Sequence, residues 1–212
     1  MPEHDTPPAL VLASGSPRRR ELLRQIGVAF TSVSIDVEEQ RRSEESPEAY
    51  VQRLALEKAQ AGLANLNPKE QAVVLGADTL GVLNGQVLEK PHNQSHAAQM
   101  LTSMSGVRHQ VLSAVALTDG VKQRLALSTT WVTFREITAA EIERYWYTGE
   151  PQDKAGGYAI QGLGAVFVTA IEGSYSSVVG LPLELTQNLL AQYNIPVWGN
   201  AASAANVNES DS

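Results

Sequence analysis

Ala9-Leu10-Val11-Leu12-Ala13-Ser14-Gly15-Ser16-Pro17-Arg18-Arg19-Arg20-Glu21-Leu22-Leu23 carries the reading that decides the fold. The first five residues are an unbroken apolar run, the pattern of a strand buried on both faces. Ser16-Pro17 supplies a helix N-cap followed by proline at the first helical position, and Leu22, Leu23 and Ile26 recur at helical spacing as far as Gly27. Strand, tight loop and helix therefore follow one another directly, and a second strand is expected over about 29–35.

The same alternation continues outward. Ser46-Pro47 opens a helix whose apolar side carries Tyr50, Val51, Leu54, Ala55 and Leu63, with Lys58 four residues beyond Leu54. Val73-Val74-Leu75 reads as a core strand ending at Gly76-Ala77-Asp78-Thr79, which puts Asp78 where the strand leaves the core. Asn84-Gly85 marks a hairpin between Leu80–Leu83 and Gln86–Leu88. A helix near Ser95–Met104, strands near Gln110–Leu117 and Arg124–Phe134 turning at Asp119-Gly120, and a helix opened by the capping box Thr138–Glu141 come next. After a Gly-rich segment from Lys154 to Gly164, a strand is expected over Ala165–Ile171 and a closing helix around Leu183–Tyr193. Hairpins mixed with single buried strands and helices point to an α/β protein with a mixed, twisted sheet and flanking helices.

Composition narrows the chemistry. The 212 residues, 43% of them hydrophobic, suffice for one large domain or two closely packed lobes, and 16 basic against 23 acidic residues leave a net charge of −7. Such a balance argues against broad binding to nucleic acid or an anionic membrane, although a local basic pocket can still hold a small anion. The chain has no cysteine, which excludes disulfides, thiolate metal sites and a cysteine nucleophile. The N-terminus lacks the apolar stretch of a signal peptide and no apolar run approaches membrane-spanning length, so a cytoplasmic protein is expected. Residues 1–8 read as a flexible lead, 9–196 as the catalytic domain, and 197–212, rich in Ala, Ser and Asn, as a disordered tail.

Arg18-Arg19-Arg20 occupies the first turn of a helix, where the macrodipole is already positive. Cations there cost roughly 0.3–1 kcal/mol each when exposed, a cost offset if the site holds an anion such as phosphate. The small residues Ser14-Gly15-Ser16 let backbone amides approach phosphate oxygens closely. Solvated surface arginines are the ordinary alternative. Asp78 is the carboxylate placed to face a ligand, or else an Asx-turn residue. Glu38-Glu39 offers a second carboxylate source, or simply solvated loop acids, and two acids brought together suit a Mg²⁺ ion that also bridges substrate phosphates. Lys58, Lys90 and Lys154 are candidate phosphate partners that would each pass alone for a surface lysine. Gln161, in the glycine-flanked run after Lys154, has an amide able to read the imide edge of uracil or thymine. His4, His92, His96 and His109 form no convincing ligand set, and Walker, nucleophile-elbow and H-E-x-x-H motifs are missing.

Taken together, Ser14-Gly15-Ser16-Pro17-Arg18-Arg19, Gly76-Ala77-Asp78-Thr79, Lys90-Pro91, Asp153-Lys154-Ala155-Gly156 with Ile160-Gln161-Gly162, and Val179-Gly180-Leu181-Pro182 resemble the Maf family over about Ala9 to Ile195. The resemblance implies an elongated α/β fold, related to that of the inosine triphosphate pyrophosphatases, with two lobes around a cleft. It also implies a homodimer and hydrolysis of a nucleoside triphosphate at the α-phosphorus. It matches Asp78 to the proton acceptor, Arg18, Thr79 and Gln161 to positions linked to substrate preference, and Glu38, Lys58 and Lys90 to further polar active-site positions. Ala77-Asp78-Thr79 resembles the branch acting on dTTP and UTP, whereas another branch carries Ser-Asp-Gln. One departure is the order Ala155-Gly156-Gly157-Tyr158-Ala159, which exchanges the small residues on either side of the tyrosine.

The mechanism expected from the resemblance gathers Arg18, Lys58, Lys90 and Lys154 around the triphosphate, with Ser14 and Ser16 in the phosphate loop. Mg²⁺ or Mn²⁺ is expected on Glu38 and Asp78, and Asp78 orients or deprotonates the attacking water. A nucleotide-binding regulator of septum formation acting without turnover, and a phosphohydrolase removing the γ-phosphate, are the rival classes.

Overall fold

The computed structural model describes residues 7–67 and 71–199. Strand β1 (Ala9–Ala13) leads into helix α1 (Pro17–Gln25) and the short strand β2 (Thr31–Val33); helix α2 (Pro47–Ala64) then precedes the long strand β3 (Ala72–Leu83). Strand β4 (Gln86–Leu88), helix α3 (Gln94–Met104), strands β5 (Arg108–Thr118) and β6 (Gln123–Phe134), and helix α4 (Ala139–Trp146) follow. The chain finishes with three short 3₁₀ turns between 150 and 167, strand β7 (Val168–Glu172) and helices α5 (Tyr175–Val179) and α6 (Leu183–Ala191). The local signals act as expected. Ser46 Oγ accepts from the Ala49 amide, Thr138 and Glu141 close a reciprocal capping box, and Asn84 and Gly85 turn the β3–β4 hairpin at φ 51° and 78°.

The seven strands form one mixed sheet in the order β2-β1-β3-β5-β6-β7, with β4 also on β3. The contacts of β1 with β2 and β3 are parallel, and every other pairing is antiparallel. Alternation along the strands sorts the core into two faces. Even-numbered residues such as Leu80, Leu112 and Ala114 pack on Tyr50, Val51 and Leu54 of α2, whereas odd-numbered Leu75, Ala77 and Val115 pack with residues of α1 and α3 to α6. Since α1 and α2 cover opposite faces, the chain changes sides between β1 and β3. The crevice outside the carboxyl ends of parallel strands at such a reversal is where open α/β sheets hold ligands.

Strand β3 differs from expectation in a way that builds this crevice. It does not end over Gly76–Thr79 but runs on to Leu83, so Asp78 lies mid-strand rather than at a strand end. One edge of β3 is occupied by β5 from Val74 to Val82. The other edge pairs with β1 at Ala72–Leu75 and with β4 at Gly81–Leu83, which leaves residues 76–80 with no strand on that side among the described residues. The glycine is a packing device and not a turn: a Cβ on Gly76 would collide with the carbonyl of Ala55 and the amide of Ala59. Because helix and strand touch backbone to backbone there, α2 comes close enough to deliver a side chain into the gap.

Other boundaries shift for local reasons. β2 is shorter than expected, β7 begins at Val168 because Leu163–Phe167 coils into a 3₁₀ turn, and α5 was hidden by its brevity. Of the expected tail, Val197 packs on the core and the Trp198 amide donates to the Ile26 carbonyl at 2.7 Å. Residues 200–212, and 1–6 of the expected flexible lead, lie outside the described residues. No helix among the described residues is long and apolar enough to cross a membrane.

Gly76→Ala is expected to lower stability by about 1–3 kcal/mol, the usual cost of overpacking a filled interior. Urea unfolding measures it, and an unchanged midpoint would show that α2 and β3 can separate freely.

Candidate active site

A hollow of about 540 Å³ opens at the unpaired edge of β3. Ser16, Arg18 and Arg19 reach it from the start of α1, Lys58 from α2, and Asp78 and Thr79 from β3. Lys90, Lys154 and Gln161 line its far side. A second hollow of about 420 Å³ adjoins it, shares Ser16, Arg19, Glu39, Lys58 and Lys90, and adds Ser14 and Asp36. The arginines at the mouth of α1 and the acid of β3 therefore face one shared space.

At its centre the Lys58 ammonium donates to Asp78 Oδ1 and to Glu39 Oε1, each at 2.6 Å. Lys58 and Asp78 are both 8% exposed, so an ammonium and a carboxylate taken from water are matched to each other. Lys58 engages only Oδ1 of Asp78; Oδ2 has no partner among the described residues. Lys90 lies 3.5 Å from Glu39 Oε2. Burial works against the charge of Glu39, yet the hydrogen bond and charge of Lys58, joined by Lys90, outweigh it and hold its carboxyl below the ordinary range.

Of the two adjacent glutamates the structure brings Glu39 to both hollows, whereas Glu38, expected beside Asp78, lines neither. What singles out Glu39 is contact: both glutamates are exposed, but Glu39 accepts from Lys58 and lies beside Lys90. Two adjacent glutamates gave no local sign of which would meet the lysine.

The three arginines divide as sharply. Arg18 lines the hollow. Arg19 is tied down: its Nε donates to the Gly180 carbonyl at 2.9 Å and its Nη1 to Ser14 Oγ at 3.2 Å. Burial lowers its pKa, opposed by the charges of Asp78 and Glu39. Arg20 instead caps the Gly15 carbonyl at 3.1 Å and lies outside both hollows. Ser14 Oγ also accepts from the Ser16 amide at 3.2 Å, which shapes the loop between β1 and α1. The tether from Arg19 to Gly180 gives the Val179–Pro182 motif a place at the site that its sequence alone did not assign.

On the far side, Lys154 pairs with its neighbour Asp153. Glu150 organises the turn after Gln161, accepting from the Leu163 amide at 2.9 Å, the Gly164 amide at 2.8 Å and the Tyr145 hydroxyl at 2.6 Å. Burial opposes its ionisation, but these three donors prevail and its pKa falls. His109, set aside with the other histidines in the sequence, also lines the hollow. It is 1% exposed, its Nε2 lies 2.9 Å from Tyr158 Oη, and its ring meets Phe134 and Tyr158 edge-on. His92 and His96 stack at 4.9 Å, and no cluster of three or more metal-ligating His, Asp or Glu side chains occurs among the described residues. His4 lies outside them.

An α/β sheet with a cation-lined hollow around a buried acid at its reversal point is the arrangement of a protein that binds a small anionic ligand. The family model described as "Maf-like protein" matches residues 9–193, and the chain belongs to that family. A protein of Saccharophagus degradans named dTTP/UTP pyrophosphatase is 56% identical over 195 residues, spanning 91% of this chain and 92% of its own. Proteins of the same name from Vibrio vulnificus, 54% identical over 87% of this chain and 98% of theirs, and from Salmonella typhimurium, 56% identical over 87% and 93%, are similarly related.

His109 gives a pH test. Burial pushes its pKa from 6.5 down to about 4, so the folded protein keeps the ring neutral where the unfolded chain protonates it. Its contribution is intact above pH 6.5 and is lost as pH falls toward 4, by about 3 kcal/mol in all. Stability of the wild type and His109→Gln, followed by denaturant unfolding across that range, should diverge in slope; parallel curves would show that His109 does not titrate this way.

Proposed function

We propose that this chain is a nucleoside triphosphate diphosphatase that hydrolyses dTTP and UTP to the nucleoside monophosphate and pyrophosphate. The observation that carries the reading is the Lys58 ammonium held between Asp78 and Glu39 in a hollow with Arg18, Lys90 and Lys154 on its walls. Kinship with proteins named for this activity, more than half identical to this chain, supports it.

In this scheme the triphosphate lies against Arg18, Lys58, Lys90 and Lys154, whose charges offset its own. Ser14 and Ser16 form the loop under the phosphates, with Arg19 braced behind it. Asp78 accepts a proton from the water that attacks the α-phosphorus: with Oδ1 fixed by Lys58, Oδ2 is the oxygen available to that water. The bond from the α-phosphorus to the bridging oxygen breaks, and pyrophosphate leaves. Thr79 and Gln161 contact the nucleoside portion.

The acids also suit a divalent cation. Asp78 and Glu39 offer only hard carboxylate oxygens, and Mg²⁺ or Mn²⁺ typically binds through one or two such groups together with substrate phosphates. When bound, the ion supplies charge neutralisation to the phosphates. A cytoplasmic homodimer without nucleic-acid or membrane partners completes the reading, in keeping with the net charge of −7 and the family resemblance.

Product analysis on a nucleotide panel tests the proposal. dTTP and UTP should yield monophosphate and pyrophosphate, and a chelator should stop turnover until Mg²⁺ or Mn²⁺ is restored. Binding without pyrophosphate release would indicate a regulator, and orthophosphate release a γ-phosphohydrolase. Asp78→Asn should lower kcat by about a hundredfold to ten-thousandfold with the fold retained; a near-normal rate would remove Asp78 from the chemistry.

A further inference from the structure

Behind Thr79 lies a chain of hydrogen bonds that the reaction scheme does not use. Ser113 sits directly opposite Thr79 in the β3–β5 register and is 0% exposed. Its hydroxyl donates to the Ser177 carbonyl at 2.7 Å, and Thr79 Oγ1 lies 2.7 Å from Ser113 Oγ. A serine hydroxyl has a single hydrogen. With that hydrogen committed to a carbonyl, which can only accept, the bond between the two hydroxyls has one consistent direction: Thr79 donates to Ser113. The Thr79 hydrogen therefore points into the protein, and only acceptor lone pairs remain for the hollow that Thr79 lines.

From this direction the geometry points to Ser113 as a specificity-determining positioning residue, which makes Thr79 an obligate acceptor for the N3–H of uracil or thymine. The inference rests on the pyrimidine reading above. An imide edge presents N3–H as a donor between two carbonyl acceptors. Cytosine presents N3 as an acceptor, which would meet the lone pairs of Thr79 and leave both unpaired. The Gln161 amide lines the same hollow and has a donor end that suits a base carbonyl.

Ser113→Ala removes the inward acceptor, and the Thr79 hydrogen becomes free to turn toward the hollow and pair with cytosine N3. The Ser177 carbonyl keeps a second donor, the Gly180 amide at 3.0 Å, so the change does not strand it. The experiment measures kcat/KM for UTP and CTP with wild type, Ser113→Ala, Ser113→Thr and Thr79→Val. The UTP-to-CTP ratio should fall about tenfold in Ser113→Ala and recover in Ser113→Thr, which restores the hydroxyl. Thr79→Val should lose the preference independently of Ser113, giving a reading even if Ser113→Ala folds poorly. A parallel decline for both nucleotides, or an unchanged ratio in Ser113→Ala and Thr79→Val, would overturn the inference, because the hydroxyl would then serve the sugar or the packing. If the wild type released no pyrophosphate from UTP, the broader functional reading would fail instead.

Discussion

The Lys58 ammonium, shared between Asp78 and Glu39, is the contact on which the site depends. An ammonium this deeply buried is tolerated only beside opposite charge, so the lysine binds together three parts of the chain: α2, β3 and the segment after β2. The helix can deliver it because Ala55 and Ala59, one turn apart, rest on the bare backbone of Gly76, while Lys58 reaches Asp78 two residues further along the strand. Losing either the lysine or the close crossing would leave two acids facing each other in a partly dry hollow.

Around that contact the sheet separates two tasks. Asp78 turns to the face covered by α2, where the ammonium waits, while Thr79 turns to the opposite face, against Ser113 and the α5–α6 connection. Both remain on one hollow only because β3 is unpaired on one edge from 76 to 80. A ligand seated at this gap meets both faces of the sheet at once. Charge stabilisation and recognition can thus be tuned on neighbouring residues without sharing side chains.

Much of this was legible in the sequence where the physics is local. Ser16-Pro17, Ser46-Pro47, Asn84-Gly85 and the Thr138–Glu141 box each act within a turn of chain, and the elements they bound appear where their patterns put them. The rest depends on distant partners. Gly76 gives no sign of its packing role until Ala55 and Ala59 are set against it, and Glu38 and Glu39 are indistinguishable until Lys58 is placed beside one of them. Arg19 meets Gly180 across 161 positions, and Ser113 meets Thr79 across 34, spacings that no periodicity encodes. His109 carries no motif at all; its place follows from the aromatic packing of Phe134 and Tyr158.

If Asp78 activates water against the α-phosphorus beside Lys58, oxygen from solvent must end in the nucleoside monophosphate. Hydrolysis of UTP in ¹⁸O-labelled water, with the products resolved by mass spectrometry, reads this directly. The account predicts one labelled oxygen in UMP and none in pyrophosphate. Label in the pyrophosphate, or in released orthophosphate, would place the attack at another phosphorus and contradict the arrangement described for Asp78 and Lys58.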